Sequence, residues 1–136
     1  MRYSNPVIQS DYSDPDVIRV GPDFYMVASS FNHVPGVPVL HSKNLAEWRL
    51  VNYVFDRIPF PRFDEVQHGQ GAWAPSLRFH NGKFYCLIPF PDEGIYVSET
   101  EDIYGQWSPL RPLLKGRGYE DPCPIWANGR CYVVFA

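Results

Sequence analysis

The sequence predicts an all-β fold that is part of a β-propeller, and three observations carry that reading. A motif occurs three times, each copy opening with a small or acidic residue and a proline and placing a tyrosine eleven positions after its start. Each copy has a turn signal between those two points. The copies start 60 and then 47 residues apart, about the length of chain that four short strands and their turns require.

The first copy runs from Asp14-Pro15-Asp16-Val17-Ile18-Arg19-Val20 through the turn Gly21-Pro22-Asp23 to Tyr25. A second hairpin follows, with Val37 to Ser42 leading through Asn44 to Trp48 and Val51. The next copy runs from Ala74-Pro75-Ser76-Leu77-Arg78-Phe79 through Asn81-Gly82 to Tyr85. Its second hairpin leads from Ile95 to Ser98 through Asp102 and Gly105 to Trp107, so that Ser98 and Trp107 match Ser42 and Trp48. The third copy is Asp121-Pro122-Cys123-Pro124-Ile125-Trp126, the turn Asn128-Gly129, and Tyr132. Asn-Gly between apolar runs is the strongest short-range hairpin signal, because both residues accept the positive φ of a type I′ turn. Residues 1–136 therefore read as one partial domain of about two and a half four-stranded blades. The apolar run Tyr132 to Phe135 breaks off at Ala136, which predicts a fragment of a longer, closed propeller. No sustained 3.6-residue periodicity interrupts the pattern, so helices should be minor.

Composition narrows the function. Charge is nearly balanced, at −3, which argues against a nucleic-acid or anionic-membrane surface, since both are held by clustered Lys and Arg. Aromatic residues make up 16% of the chain, and several lie beside Pro or Gly, where flat rings suit sugar faces as well as sheet cores. Cys86, Cys123 and Cys131 form no Cys-x-x-Cys pair and read as three buried, inert thiols. His33, His41, His68 and His80 have no ligand-like spacing, and no phosphate-loop, dinucleotide, nucleophile-elbow or zinc-protease motif is present. Neither a metal nor a cofactor is expected. Met1 to Ser10 holds polar residues and Pro6 where a leader would need an apolar stretch. The compartment follows from Met1: cytoplasmic if it is the native start, periplasmic or secreted if a leader precedes it.

Innermost propeller strands line the central channel, and their first residues face one mouth of it. The repeat thus gathers Asp14, Ala74 and Asp121 about one axis. Asp-Pro opens many strands merely as a turn dipeptide. Its recurrence at equivalent places favours chemistry, because paired carboxylates in an aromatic-lined cleft are what glycoside hydrolysis needs. Glu65, Glu93, Glu99 and Glu101 read as solvated loop charges, and strand alternation points Glu120 away from Asp121.

Four ordered blocks make the resemblance specific. Asn5-Pro6-Val7-Ile8 with Asp11-Tyr12-Ser13-Asp14-Pro15-Asp16-Val17-Ile18-Arg19 resembles the opening motif of family 43 glycoside hydrolases. Phe31, Pro35-Gly36-Val37-Pro38, His41-Ser42-Lys43-Asn44-Leu45 and Trp48 resemble the block that follows it there. Gly71-Ala72-Trp73-Ala74-Pro75-Ser76-Leu77-Arg78 and Gly118-Tyr119-Glu120-Asp121-Pro122 resemble the next two. The resemblance implies a five-bladed propeller and an inverting hydrolase of xylose- or arabinose-containing oligosaccharides or polysaccharides, a β-xylosidase, an α-L-arabinofuranosidase or both. It implies Asp14 as the general base and Asp121 as the second aspartate, which orients the general acid and raises its pKa. Phe31 and Trp73 match aromatics of the terminal sugar subsite, with His33 and Gln70 as polar contacts beside them. The family's glutamic general acid belongs to a later blade, and no Glu here matches it, so the isolated chain is expected to be inactive.

Two other classes compete. A non-catalytic carbohydrate-binding propeller would keep Phe31 and Trp73 without needing Asp14 and Asp121. A protein-interaction propeller of the Trp-Asp repeat type would need Asp after Trp, whereas the four Trp here precede Arg49, Ala74, Ser108 and Ala127.

Overall fold

The computed structural model describes residues 3–136; Met1, on which the compartment turns, lies outside them. Ten strands lie among the described residues, some joined by tight turns and others by longer loops. β1 (Asp16–Val20), β2 (Asp23–Val27), β3 (Gly36–Ser42) and β4 (Arg49–Phe55) form one antiparallel meander. β5 (Ser76–His80), β6 (Lys83–Phe90), β7 (Gly94–Thr100) and β8 (Arg111–Lys115) form a second. β9 (Cys123–Ala127) and β10 (Arg130–Val134) pair as a hairpin. One short 3₁₀ turn, Pro61–Asp64, lies between the meanders.

The turns explain why the hairpins close where they do. Asn81 and Gly82 have φ of 49° and 80°, and Asn128 and Gly129 have 51° and 72°, the paired positive values of type I′ geometry. The first hairpin reaches the same end by a different route. Gly21 takes φ 59° ahead of Pro22, so only the first central residue is left-handed. Both meanders also carry a register shift between their third and fourth strands, at Val39/Leu40 and at Ile95/Tyr96.

Register corrects one alignment made from the sequence. Ser42 faces Phe24 and Thr100 faces Phe84, so the equivalent of Ser42 is Thr100 and not Ser98. The chemistry agrees. Ser42 Oγ accepts from the backbone of Asn44 and Leu45 at 3.1 and 2.9 Å, and Thr100 Oγ1 accepts from Asp102 N at 3.1 Å. Trp48 directly precedes β4, whereas Trp107 lies four residues before β8 and is buried, because a longer loop separates β7 from β8.

Blades pack face to face, and β6 shows it through its own alternation. Phe84, Cys86, Ile88 and Phe90 point into a core shared with Tyr25, Val27, Val37 and Val39 of the first meander. Leu87 on the opposite face joins Ile95 and Val97 in a second core that reaches Tyr119 and Val133 beside the third hairpin. A strand buried on both faces has lost the polar-out alternation of an ordinary hairpin, as a central layer must. Polar ties reinforce the stack. Asn52 Nδ2 donates to the carbonyls of Ile103 and Gly105 at 2.9 and 2.7 Å, and His80 stacks on Trp126 with ring centroids 4.7 Å apart.

Two sequence expectations fail here. Only Cys86 is buried; Cys123 and Cys131 are exposed, because among the described residues β9 and β10 have no hydrogen-bonded strand neighbours beyond each other. Burial pushes the Cys86 thiol well above the ordinary cysteine range. Glu93 and Glu99 are not free loop charges. Glu93 forms a two-pronged pair with Arg62, and Glu99 lies within β7 and accepts from Lys83 Nζ at 3.2 Å.

Candidate active site

Asp14 and Asp121 share an unusual backbone. Their φ values are 51° and 50°, left-handed in both cases although each precedes a proline. Asp reaches that region more readily than most residues, since its short polar side chain serves the local backbone. Ala74, at the same place in the second meander, does not adopt it. The repeat therefore reproduces a conformation at its two acidic members and relaxes it at the third.

Asp14 is tied down from the loop after β2. Ser29 Oγ donates to Asp14 Oδ2 at 2.7 Å, and Ser29 N donates to Ser13 O at 3.0 Å. The next residue carries the loop to the segment leading into β5, where Ser30 and Ala72 exchange backbone bonds of 2.9 and 3.1 Å. Gly71 N then donates to Phe31 O at 2.8 Å. That approach needs glycine, because a Cβ at position 71 would overlap Ser30 O and stand 2.7 Å from Phe31 O.

The same crossing sets an aromatic corner. Phe31 and Trp73 meet edge to face with centroids 6.1 Å apart. The Trp73 indole is fixed by a bond from Nε1 to Gly69 O at 2.9 Å. A cavity of about 460 Å³ opens beside Phe31, lined also by His33, Ile58, Phe63, Glu65 and His68. Its mixed apolar and polar wall suits a ligand with flat hydrophobic faces and a rim of hydroxyls. Trp73, Gln70, Asp14 and Asp121 are not among the residues that line it.

Gln70 is held from outside the cavity. Its Oε1 accepts from Arg62 Nη1, while Arg62 also pairs with Glu93 Oε1 and Oε2 at 2.5 and 3.0 Å. The hydrogen bonds it donates to Glu93 hold the Arg62 guanidinium above its usual range. Thus Asp14, Phe31 and Trp73 are joined through one short run of backbone, His33 shares the cavity with Phe31, and Gln70 braces the loop behind them. Asp121 has no side-chain bond to any of these residues. Ser29 and Arg62 were missed in the sequence, where Ser-Ser after an apolar strand and a lone Arg between Pro and Phe give no functional signal. Among the described residues no group of three or more His, Cys, Asp or Glu is placed to hold a metal ion.

A sequence model of the glycosyl hydrolases family 43 matches residues 3–136. The chain belongs to glycoside hydrolase family 43. A relative from Xylanibacter ruminicola is 42% identical over 133 residues, covering 96% of this chain and 24% of its own length. A non-reducing end α-L-arabinofuranosidase of Bacteroides ovatus is 34% identical, with 97% of this chain and 26% of the relative covered. Among solved structures, a xylan β-1,4-xylosidase from Bacillus halodurans superposes with a TM-score of 0.85 at 30% identity, covering 97% of this chain and 27% of that one. The chain spans about a quarter of the length of the curated relatives it matches. The two meanders and the hairpin are accordingly part of a family 43 propeller.

Proposed function

We propose that the chain supplies the base-bearing side of an inverting glycosidase acting on xylose- or arabinose-containing glycans. The observation that carries this reading is the pair of left-handed Asp-Pro starts, one of which, Asp14, is anchored through Ser29 to the loop bearing Phe31. The activities by which two relatives are named, a β-xylosidase and an α-L-arabinofuranosidase, support a pentoside substrate. In this reading Asp14 takes a proton from water as its oxygen attacks the anomeric carbon. The glycosidic bond breaks, and the departing oxygen takes a proton from a general acid that this chain does not supply. Asp121 raises the pKa of that acid, because a neighbouring negative charge disfavours ionising a second carboxyl. Phe31 and Trp73 pack on the sugar's apolar faces with His33 at its hydroxyls, while Gln70, held by Arg62, steadies the loop behind them.

The test is proton NMR of the first products released from an aryl pentoside by the full-length protein, run beside Asp14→Asn. The expected result is the inverted anomer and a loss of turnover of about 10² to 10⁴-fold in the variant, with sugar binding retained. A retained anomer, or a wild-type rate in Asp14→Asn, overturns the assignment. Sugar binding by the unaltered protein without any turnover supports the binding-module reading instead.

A further inference from the structure

We infer that Arg78 is a positioning residue that sets the spacing between the Asp14 and Asp121 carboxylates, an inference that rests on the proposed function. Arg78 lies on β5, which packs between β1 and β9. Its guanidinium reaches both neighbours. Nη1 donates to Asp16 Oδ2 at 2.5 Å, and Nη2 donates to Cys123 Sγ at 3.1 Å. Nη1 also donates to Leu77 O at 2.6 Å, and Asp16 Oδ2 accepts from Leu77 N at 2.8 Å, so the fork is seated on its own strand as well.

The two partners hold matching places in the repeat. Asp16 lies two residues after Asp14, and Cys123 lies two residues after Asp121. The residue between is proline in both cases, with φ confined near −65°, and the aspartate before it takes the same left-handed φ, 51° and 50°. Asp-Pro-Asp and Asp-Pro-Cys are therefore stiff levers, and fixing the third residue constrains where the first can stand. The guanidinium that fixes both is planar, with its two Nη atoms at a set separation and no soft torsion between them. The arginine acts as a rigid spacer across three blades. The Asp16 pair is partly shielded, with side chains 28% and 29% exposed, so water competes with it only in part.

The test uses the full-length protein with Arg78→Lys, Cys123→Ala and Cys123→Ser, and with Asp121→Asn as the reference. Lysine keeps the charge but cannot span both partners. Alanine removes the acceptor on the third hairpin, and serine restores one. Readouts are kcat, KM, thermal midpoint and the pH–rate profile on an aryl xyloside and an aryl arabinofuranoside. Arg78→Lys is expected to lower kcat on the order of 10²-fold, the usual cost of a displacement of about 1 Å in a reacting group, with a much smaller change in KM. Its basic limb should move to lower pH, the direction set by Asp121→Asn. Cys123→Ala should follow with a smaller effect, and Cys123→Ser should lie nearer the unaltered enzyme. If Arg78→Lys does not fold, Cys123→Ala decides alone. An unshifted pH profile in the foldable variants of an active enzyme, with kcat falling only as stability falls, overturns the inference and leaves the function standing. An unaltered protein inactive on every pentoside overturns both.

Discussion

Ser29 Oγ stands 2.7 Å from Asp14 Oδ2, and this one bond joins the start of the first blade to the loop that crosses to the second. It occupies one carboxylate oxygen and orients the other. A general base works only when its free oxygen faces the attacking water, so the serine acts on geometry.

Ser29→Ala is therefore expected to lower kcat by about tenfold or more while KM changes little, since the sugar-facing rings remain. Steady-state kinetics of the full-length protein on an aryl xyloside measures the split. A rise in KM at constant kcat would assign Ser29 to sugar binding rather than to Asp14.

Gly71 gives a second prediction. Its φ is not left-handed, so its requirement is space alone. Gly71→Ala drives a methyl group into the carbonyls of Ser30 and Phe31 and should force the Ser30–Ala72 crossing apart. Overpacking of this kind costs about 1–3 kcal/mol, which denaturant unfolding would register. KM should rise too, because Phe31 and Trp73 take their relative position from that crossing.

The Asp23 carboxylate sits 2.5 Å from both Lys43 Nζ and His41 Nε2. The hydrogen bond from Lys43, and then that from His41, hold it below its ordinary value. A carboxyl with a depressed folded-state pKa adds stability that is complete above its unfolded value of about 3.9 and disappears as pH falls through the folded one. Asp23→Asn should lower the thermal midpoint at neutral pH. The gap from the unaltered protein should shrink below about pH 4 and close in stronger acid. A gap that stays constant across that range would mean the side chain acts by shape and not by charge.

What was legible in the sequence was local. Asn81-Gly82 and Asn128-Gly129 declare their turns because a type I′ bend needs two adjacent residues and nothing else. The recurrence of Asp-Pro marked Asp14 and Asp121 as matching positions, but not their left-handed φ, since a residue before proline is ordinarily extended. What escaped depended on partners far along the chain. Ser98 was aligned with Ser42 because the length of the loop after β7 hid the register. Glu93 looked solvated because Arg62, thirty-one residues earlier, meets it only when the blades stack. Cys123 looked buried because apolar context says nothing about which face has a neighbour. Arg78 stood in a motif but showed no bridging role, since its two partners are separated from it by 62 and 45 residues.

The last prediction concerns the chain of residues 1–136 taken alone: it will not turn over pentosides, and it will self-associate. Departure of the glycosidic oxygen without a proton costs a factor of about 10² to 10⁴, and no carboxylate in this chain is assigned to supply that proton. The second part follows from the surface of the third hairpin. Ile125, Tyr132 and Val134 are 61%, 49% and 69% exposed, large apolar side chains that the register places on one face of a two-stranded sheet. Two strands alone are marginal in water, and exposed apolar faces with open strand edges recruit other copies. Sedimentation should show species heavier than the 15.7 kDa monomer, while aryl-xyloside and aryl-arabinofuranoside assays stay near the uncatalysed rate. Replacing Ile125 and Val134 with threonine should reduce association without restoring activity, because the two deficits have separate causes. A monodisperse monomer with turnover near that of the full-length protein would overturn both, and would require a general acid within these residues.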